Sequence, residues 1–457
     1  MIQSLLSIPG FSSIRRLLLI GCVLLFPYLL PAEQTVTSSD FLEDSLIYGS
    51  REEALEIWTA TEGTDSHSIL EPTTKGLSLN DLSGDCYEGI NNQKAVFLKK
   101  PPVSDHYWFQ AEIDEFLPVS KYAQCGLAAW NDQDNYIRHT IGFKTAAREA
   151  LSEINGRVNS KGLFYIYPRT NPVRTFLKME VLEHTVRTYA SYDGKYWFIN
   201  GGFALPEGIS SKDFVKGIGI LGVGGDMAEK PVFSNWKEGT PGLYRNDDFS
   251  GEFPGSQWMT GQTNSGWGSE EARIEQKNGN LVIHPYSGSD IYLRNENYPF
   301  EAMPSPRKDA WQMEVGIRDF DPHAPGKWNK GGVVLWRGND HCLVLSLVKD
   351  EDNDQVYFES LALGGKKDFS NTVRMDGFAA RKKTDAFFRI SKKKNDHYFL
   401  EASYDGKKWF DLGNGRIPLD APQIRLFASG DIDRQYPDDY DFSVKFDYIR
   451  TVDDQEK

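Results

Sequence analysis

Cysteine is scarce, with four residues in a chain of 457. A disulfide scaffold is therefore excluded, and the fold must rest on an apolar interior. Cys22 sits in an apolar N-terminal run, which leaves Cys86, Cys125 and Cys342 for the rest of the chain. An odd number allows at most one internal bridge. Cys86–Cys125 is the pair available within one half, although Cys125 reads equally well as a buried thiol in an apolar strand. Basic charge is also short: 51 Lys and Arg face 65 Asp and Glu, for a net −14. So acidic a surface argues against nucleic acid or an anionic membrane as partner. The eight histidines, His67, His106, His139, His184, His284, His323, His341 and His397, stand singly without zinc-ligand spacing, and neither a Gly-x-Ser-x-Gly elbow nor a P-loop is present.

Long apolar runs are missing too, apart from Leu17–Leu30, which follows Arg15-Arg16 and ends at Pro31-Ala32. A basic region, an apolar segment and a small residue at the cut are the layout of a secretory signal peptide. As a helix, that segment would reach roughly 21 Å, short of the ~30 Å hydrocarbon core. Residues 1–32 are thus expected to be removed, leaving an exported protein, periplasmic or extracellular, with no membrane insertion. Residues 33–50 read as a linker, and Glu52 to Trp58 as one short helix.

Helical periodicity is absent beyond that point. Short runs of Val, Ile, Leu, Phe, Tyr and Trp alternate with Gly, Asn, Asp and Pro, the pattern of an all-β chain. One eight-residue stretch occurs twice, Ser191-Tyr192-Asp193-Gly194-Lys195-Tyr196-Trp197-Phe198 and Ser403-Tyr404-Asp405-Gly406-Lys407-Lys408-Trp409-Phe410. Asp-Gly between strand formers predicts a two-residue hairpin, with Ala190 opposite Trp197 and Ala402 opposite Trp409. Other segments match around it: Phe109–Ile113 with Trp311–Val315, and Gly126–Trp130 with Gly332–Trp336. The repeat is about 200 residues, right for a complete β-sandwich, with halves at 51–240 and 247–452. Trp130, Trp336, Trp197 and Trp409 recur in matched strands and are expected in the core.

Tyr122-Ala123-Gln124-Cys125-Gly126-Leu127, Asp134-Asn135-Tyr136 and the first hairpin resemble the concanavalin A-like domain at the C-terminus of β-xylosidases, and its relatives called "regulation of enolase" proteins. The resemblance spans roughly residues 60–237 and, more weakly, 247–450. It implies two tandem concanavalin A-like jelly-roll sandwiches of a kind that often accompanies carbohydrate-active enzymes, without implying catalysis.

Gly217–Gly222 matches a dinucleotide fingerprint in form, but Val223-Gly224-Gly225 follows where a helix is required, so it reads as a closing strand. Glu112 and Asp114 share one strand face, as the acid and nucleophile of a glycosidase would, yet the matched strand reads Glu314-Val315-Gly316, and no catalytic residue is assigned. Asp350–Asp354 begins like a calcium loop without its glycine or closing glutamate. No cofactor or metal ligand is assigned; structural calcium stays open, with Asp248 and Asp447 the carboxylates to watch. For binding, Trp267 and Trp328 lie in Gly-containing loops, Tyr122 holds the position matching Trp328, and Arg138, Arg337 and His341 can supply donors. An indole face takes the apolar face of a pyranose while polar neighbours take its hydroxyls. The expected function is non-catalytic carbohydrate binding to a polysaccharide or other glycan. A hydrolase or lyase on the same fold and a structural or protein-interaction module of the cell envelope are the alternatives.

Overall fold

In the computed structural model the described residues are 41–451, apart from 62–63, 65–68, 86–91, 115, 121, 144–147, 155–156, 159–163, 167–173, 207, 243, 252, 254, 256, 264–271, 293–294, 339–340, 350–355, 364–368, 375–382, 420–421 and 432–439. The expected signal peptide, Trp267, Cys86 and the Asp350–Asp354 stretch lie outside them. The chain is all-β, and Gly217–Val223 is a strand, buried throughout. No described helix is long and apolar enough to cross a membrane.

Strands in the first half are β1 (Phe41–Asp44), β2 (Ala95–Lys99), β3 (Tyr107–Asp114), β4 (Gln124–Trp130), β5 (Tyr136–Phe143), β6 (Arg148–Ile154), β7 (Thr175–Leu182), β8 (Thr185–Ser191), β9 (Trp197–Ala204), β10 (Gly217–Val223) and β11 (Val232–Gly239). The second half adds β12 (Met259–Thr263), β13 (Pro299–Pro304), β14 (Trp311–Phe320), β15 (Lys330–Gly338), β16 (His341–Lys349), β17 (Val356–Leu363), β18 (Phe369–Arg374), β19 (Thr384–Lys393), β20 (His397–Ser403), β21 (Phe410–Arg416), β22 (Gln423–Ser429) and β23 (Val444–Thr451). Smaller strands extend the edges. In each half the sheet carrying the repeated hairpin has one order, β11-β3-β7-β8-β9 and β23-β14-β19-β20-β21. The companion sheets run β6-β5-β4-β10-β2 and β17-β16-β15-β22-β13. Alternate side chains of the paired sheets fill two interiors, one holding Phe109, Leu177, Ala190, Leu127 and Ile220, the other Met313, Phe388, Ala402, Val333 and Leu426.

The halves are joined by backbone. Edge strand β9 pairs in parallel with edge strand β12, Trp197 opposite Gly261 and Ile199 opposite Thr263, so the hairpin sheet of the first half continues into the companion sheet of the second as one 15-stranded sheet. A third apolar cluster closes over this joint, with Phe176, Tyr189, Trp197 and Ile199 from one side and Phe300, Val334, Trp336, Val344, Leu361 and Phe427 from the other. Buried polar groups bridge the same faces: Arg187 donates to Glu180 Oε2 (3.3 Å) and to the Trp336 carbonyl (3.2 Å), and Tyr189 donates to the same carboxylate (2.9 Å).

Several expectations need correcting. The hairpins are not two-residue turns: Ala190 pairs with Phe198 and Ala402 with Phe410. Side chains hold a longer loop. Ser191 Oγ accepts from the Asp193 and Gly194 amides, and Asp193 Oδ1 from the Lys195 and Tyr196 amides (2.7 and 2.9 Å). Ser403 and Asp405 repeat all four bonds, and only the glycine of each loop has positive φ, +73° at Gly194 and +68° at Gly406. Moving the ladder by one residue sends each indole to the outer face. The match of Phe109 to Trp311 slips by two: Tyr107 stands opposite Val181 and Trp311 opposite Lys392, positions equally far from their hairpins. The stretch expected as a linker contributes β1, paired with β11, and the buried Leu46, whose amide donates to Asp44. The expected short helix is present at Arg51–Ile57, capped by Ser50.

Glycine is required at Gly126 and Gly332. A Cβ there would lie 2.1 Å from the His139 carbonyl oxygen and 1.9 Å from that of Leu345. Beside the joint, Glu301 on β13 is fully buried, accepts from Thr260, and has its second oxygen without a partner. Burial pushes its carboxyl up to about 8, against the Thr260 hydrogen bond that lowers it. The folded state therefore keeps a proton that the unfolded chain releases from about pH 4.5. Stability is expected to fall by up to ~1.4 kcal/mol per pH unit as pH rises through that window, and Glu301→Gln to flatten the slope. Denaturant melts between pH 5 and 8 measure it.

Candidate functional site

The outer face of the second hairpin sheet is built by strand alternation. On β14, β19 and β20 the residues Met313, Val315, Phe388, Ile390, Leu400 and Ala402 point into the interior. Glu314, Arg389, Phe399 and Glu401 therefore face outward. At the edge, Trp409 leads into β21, which among the described residues pairs only with β20. The Arg389 guanidinium lies 3.7 Å from the centre of the Trp409 ring. Its Nη2 donates to Glu314 Oε1 (2.6 Å), while Arg450 Nη2 donates to the other oxygen (2.8 Å). Farther along, Arg318 bridges Asp385 and Asp447, both at 2.7 Å, and Arg450 stacks 4.5 Å from Tyr448. Phe399 is 38 % exposed and stacks on His397 at 4.7 Å.

This array has a closed counterpart. Lys178 stands opposite Tyr189 on the β8 ladder as Arg389 stands opposite Glu401 on β20. Its ammonium lies 5.5 Å from the Trp197 ring and 4.8 Å from Trp108. Each half thus carries one cation over one post-hairpin indole. Trp197 is 5 % exposed, sealed in the joint, whereas Trp409 is only half-buried. The core expectation therefore fails for Trp409, because no strand continues the sheet beyond it in the described residues. At the ladder positions of Tyr189 and Ile199, the second half carries Glu401 and Asp411.

Glu314, Asp385 and Asp447 are held by arginines. Burial pushes Glu314 up, but the hydrogen bonds from Arg450 and Arg389 outweigh it and hold the carboxyl below its ordinary range. Such a group accepts hydrogen bonds and does not donate a proton at neutral pH. In the first half, Glu112 is likewise bound by Arg174 and by Asn235 (2.5 Å). Asp447 is engaged by Arg318, and Asp248 accepts from Ser250. Among the described residues, no group of three or more His, Cys, Asp or Glu is placed to hold a metal ion.

The residues singled out in the sequence do not converge. Tyr122 (φ +80°, 52 % exposed) and Trp328 (φ +58°, partly exposed) precede the matching strands β4 and β15, one in each half. Arg337 and His341 lie at the far end of β15 from Trp328, roughly 25 Å of extended chain away. Arg337 ties the halves together, donating to Thr185 Oγ1 (3.2 Å) and the Pro418 carbonyl (3.1 Å). Arg138 is buried in β5, opposite Ala128. Sequence reasoning missed Arg389, Glu314 and the open Trp409. The signal available was the hairpin itself, read one residue out of register.

No family model matches the chain, and no curated protein matches it. Among solved structures, one described as a Bacteroides ovatus xyloglucan-locus protein, GH43B, is similar at a TM-score of 0.34 and 12% identity, covering 84% of this chain and 73% of that one. SCLam, a non-specific endo-β-1,3(4)-glucanase of family GH16, gives 0.32 and 14%, covering 46% and 90%. The CBM2 module of the evolved Dit protein of Lactobacillus casei BL23 phage J-1 gives 0.31 and 12%, covering 45% and 93%. Likenesses this distant carry no argument about activity.

The two indoles should differ sharply on truncation. Trp197→Ala is expected to cost about 3–5 kcal/mol, as for a large side chain removed from a packed core. Trp409→Ala should cost about 1 kcal/mol or less. Urea melts of the two variants check the contrast.

Proposed function

We propose that the protein is an exported, non-catalytic glycan-binding protein made of two tandem sandwich copies, at 51–240 and 247–452. Its binding face is the outer face of the second hairpin sheet, where Trp409 stacks on a sugar ring. Arg389, Glu314, Glu401 and Arg450 take the hydroxyls around it. The observation that carries this reading is that, of two matched cation–indole pairs, the second stays open. An indole held flat by a guanidinium is already oriented for a pyranose, so little ordering entropy is lost on binding. Ion-paired carboxylates suit hydrogen bonding to hydroxyls better than proton transfer, which favours binding over hydrolysis. The loops bearing Tyr122, Trp328 and Trp267 are secondary contacts that add avidity along a polymer.

Affinity electrophoresis in gels containing soluble polysaccharides tests this. Trp409→Ala should weaken retention about tenfold, near the upper end for one stacked ring, and Trp267→Ala/Trp328→Ala should weaken it less. Unchanged retention in Trp409→Ala would refute the assigned face.

A further inference from the structure

On the outer face of the second companion sheet, at the end away from Trp336, lies a buried group that glycan binding does not use. Lys330 opens β15 and is 4 % exposed; Glu359 lies on β17 and is 9 % exposed. Strand β16 runs between them. Lys330 stands opposite Val348 and Glu359 opposite Ser346, so the two side chains reach toward each other over the middle strand. Nζ and Oε2 are 3.4 Å apart, and Nζ also donates to the Ile291 carbonyl at 3.4 Å. Asp290, the residue before Ile291, feels both charges. Burial raises its carboxyl above the ordinary range, opposed by Lys330 and assisted by Glu359.

We propose that Lys330 and Glu359 condense after folding into a side-chain amide, with Asp290 relaying the proton. The amine attacks the Glu359 carboxyl carbon, and a bond forms between Nζ and Cδ while one C–O bond breaks. The departing oxygen leaves as water with two of the three ammonium protons. Asp290 takes a proton from nitrogen, passes it to that oxygen and ends unchanged. No oxidant, nucleotide or metal is required.

Three physical terms favour the step. The ion pair is nearly dry, and condensation to a neutral amide removes two buried charges that have given up their hydration. The ladders hold the reacting atoms together, so the effective concentration far exceeds that of free groups. The amide also brings polar groups where they are lacking. Ser346, opposite Glu359, and Ser429, opposite Lys330, have buried hydroxyls without partners. The new carbonyl can accept from the first, and the new N–H can donate to the second.

Peptide mass spectrometry of the folded full chain, digested after denaturation, tests the proposal independently of any glycan. The expected result is no tryptic cleavage after Lys330, and a cross-linked species 18 Da lighter than the sum of its two peptides, since one water is lost. Lys330→Arg keeps the charge but cannot condense, and should give no such species. Asp290→Asn should form the link at least tenfold more slowly during refolding. Lys330 and Glu359 recovered only in separate, unmodified peptides from the folded wild-type chain would overturn the bond and leave an ion pair only. Equal rates in Asp290→Asn would overturn the relay.

Discussion

The three-residue parallel pairing of Trp197–Ile199 with Gly261–Thr263 is the constraint on which the rest of the structure depends. A sandwich ordinarily ends at edge strands whose unpaired amides and carbonyls meet water. Here the edge of one sandwich is the neighbour of the other, and the two become one continuous sheet. Once those backbones are joined, the outer faces on either side of the seam must lie together. That explains the third apolar cluster and the buried Arg187–Glu180–Tyr189 network. It also explains why Arg425 is fully buried, with its guanidinium 3.6 Å from the Trp336 ring and a hydrogen bond to Tyr298. Stacking and neutral acceptors replace much of the hydration such a cation gives up.

The seam also creates the difference between the halves. Both carry the same Ser-Tyr-Asp-Gly-Lys loop with the same side-chain bonds, and both set a cation over the indole that follows. In one half the pair is glue between sandwiches; in the other it meets solvent beside a Glu314 clamped by two arginines. Similar residues are thus sealed between sandwiches or left facing solvent according to whether a further strand follows them.

Much of the architecture was legible in the residues. The matched apolar runs Gly126–Trp130 and Gly332–Trp336, the paired hairpin text and the strand-like Gly217–Val223 all read correctly as all-β. The hairpin register did not, because Asp-Gly is equally compatible with a loop stapled by Ser and Asp side chains, and only the hydrogen bonds distinguish them. The joint was illegible for another reason. Met259-Thr260-Gly261-Gln262-Thr263 is a weak strand sequence whose partner lies about 60 residues away, in a parallel pairing that no turn announces. Without the joint, Trp197 and Trp409 cannot be told apart, so the candidate face could not be located. Tyr122 and Trp328 were correctly paired with each other, and both have left-handed backbone, but they sit on different halves.

The acidic Glu401 and Asp411 stand where the first half places Tyr189 and Ile199. Continuing the sheet past β21 in the manner of the joint would dehydrate both carboxylates, of which Glu401 has Arg389 at 3.7 Å. Charge on the outer face at a sheet edge disfavours a further pairing of the kind seen at the joint.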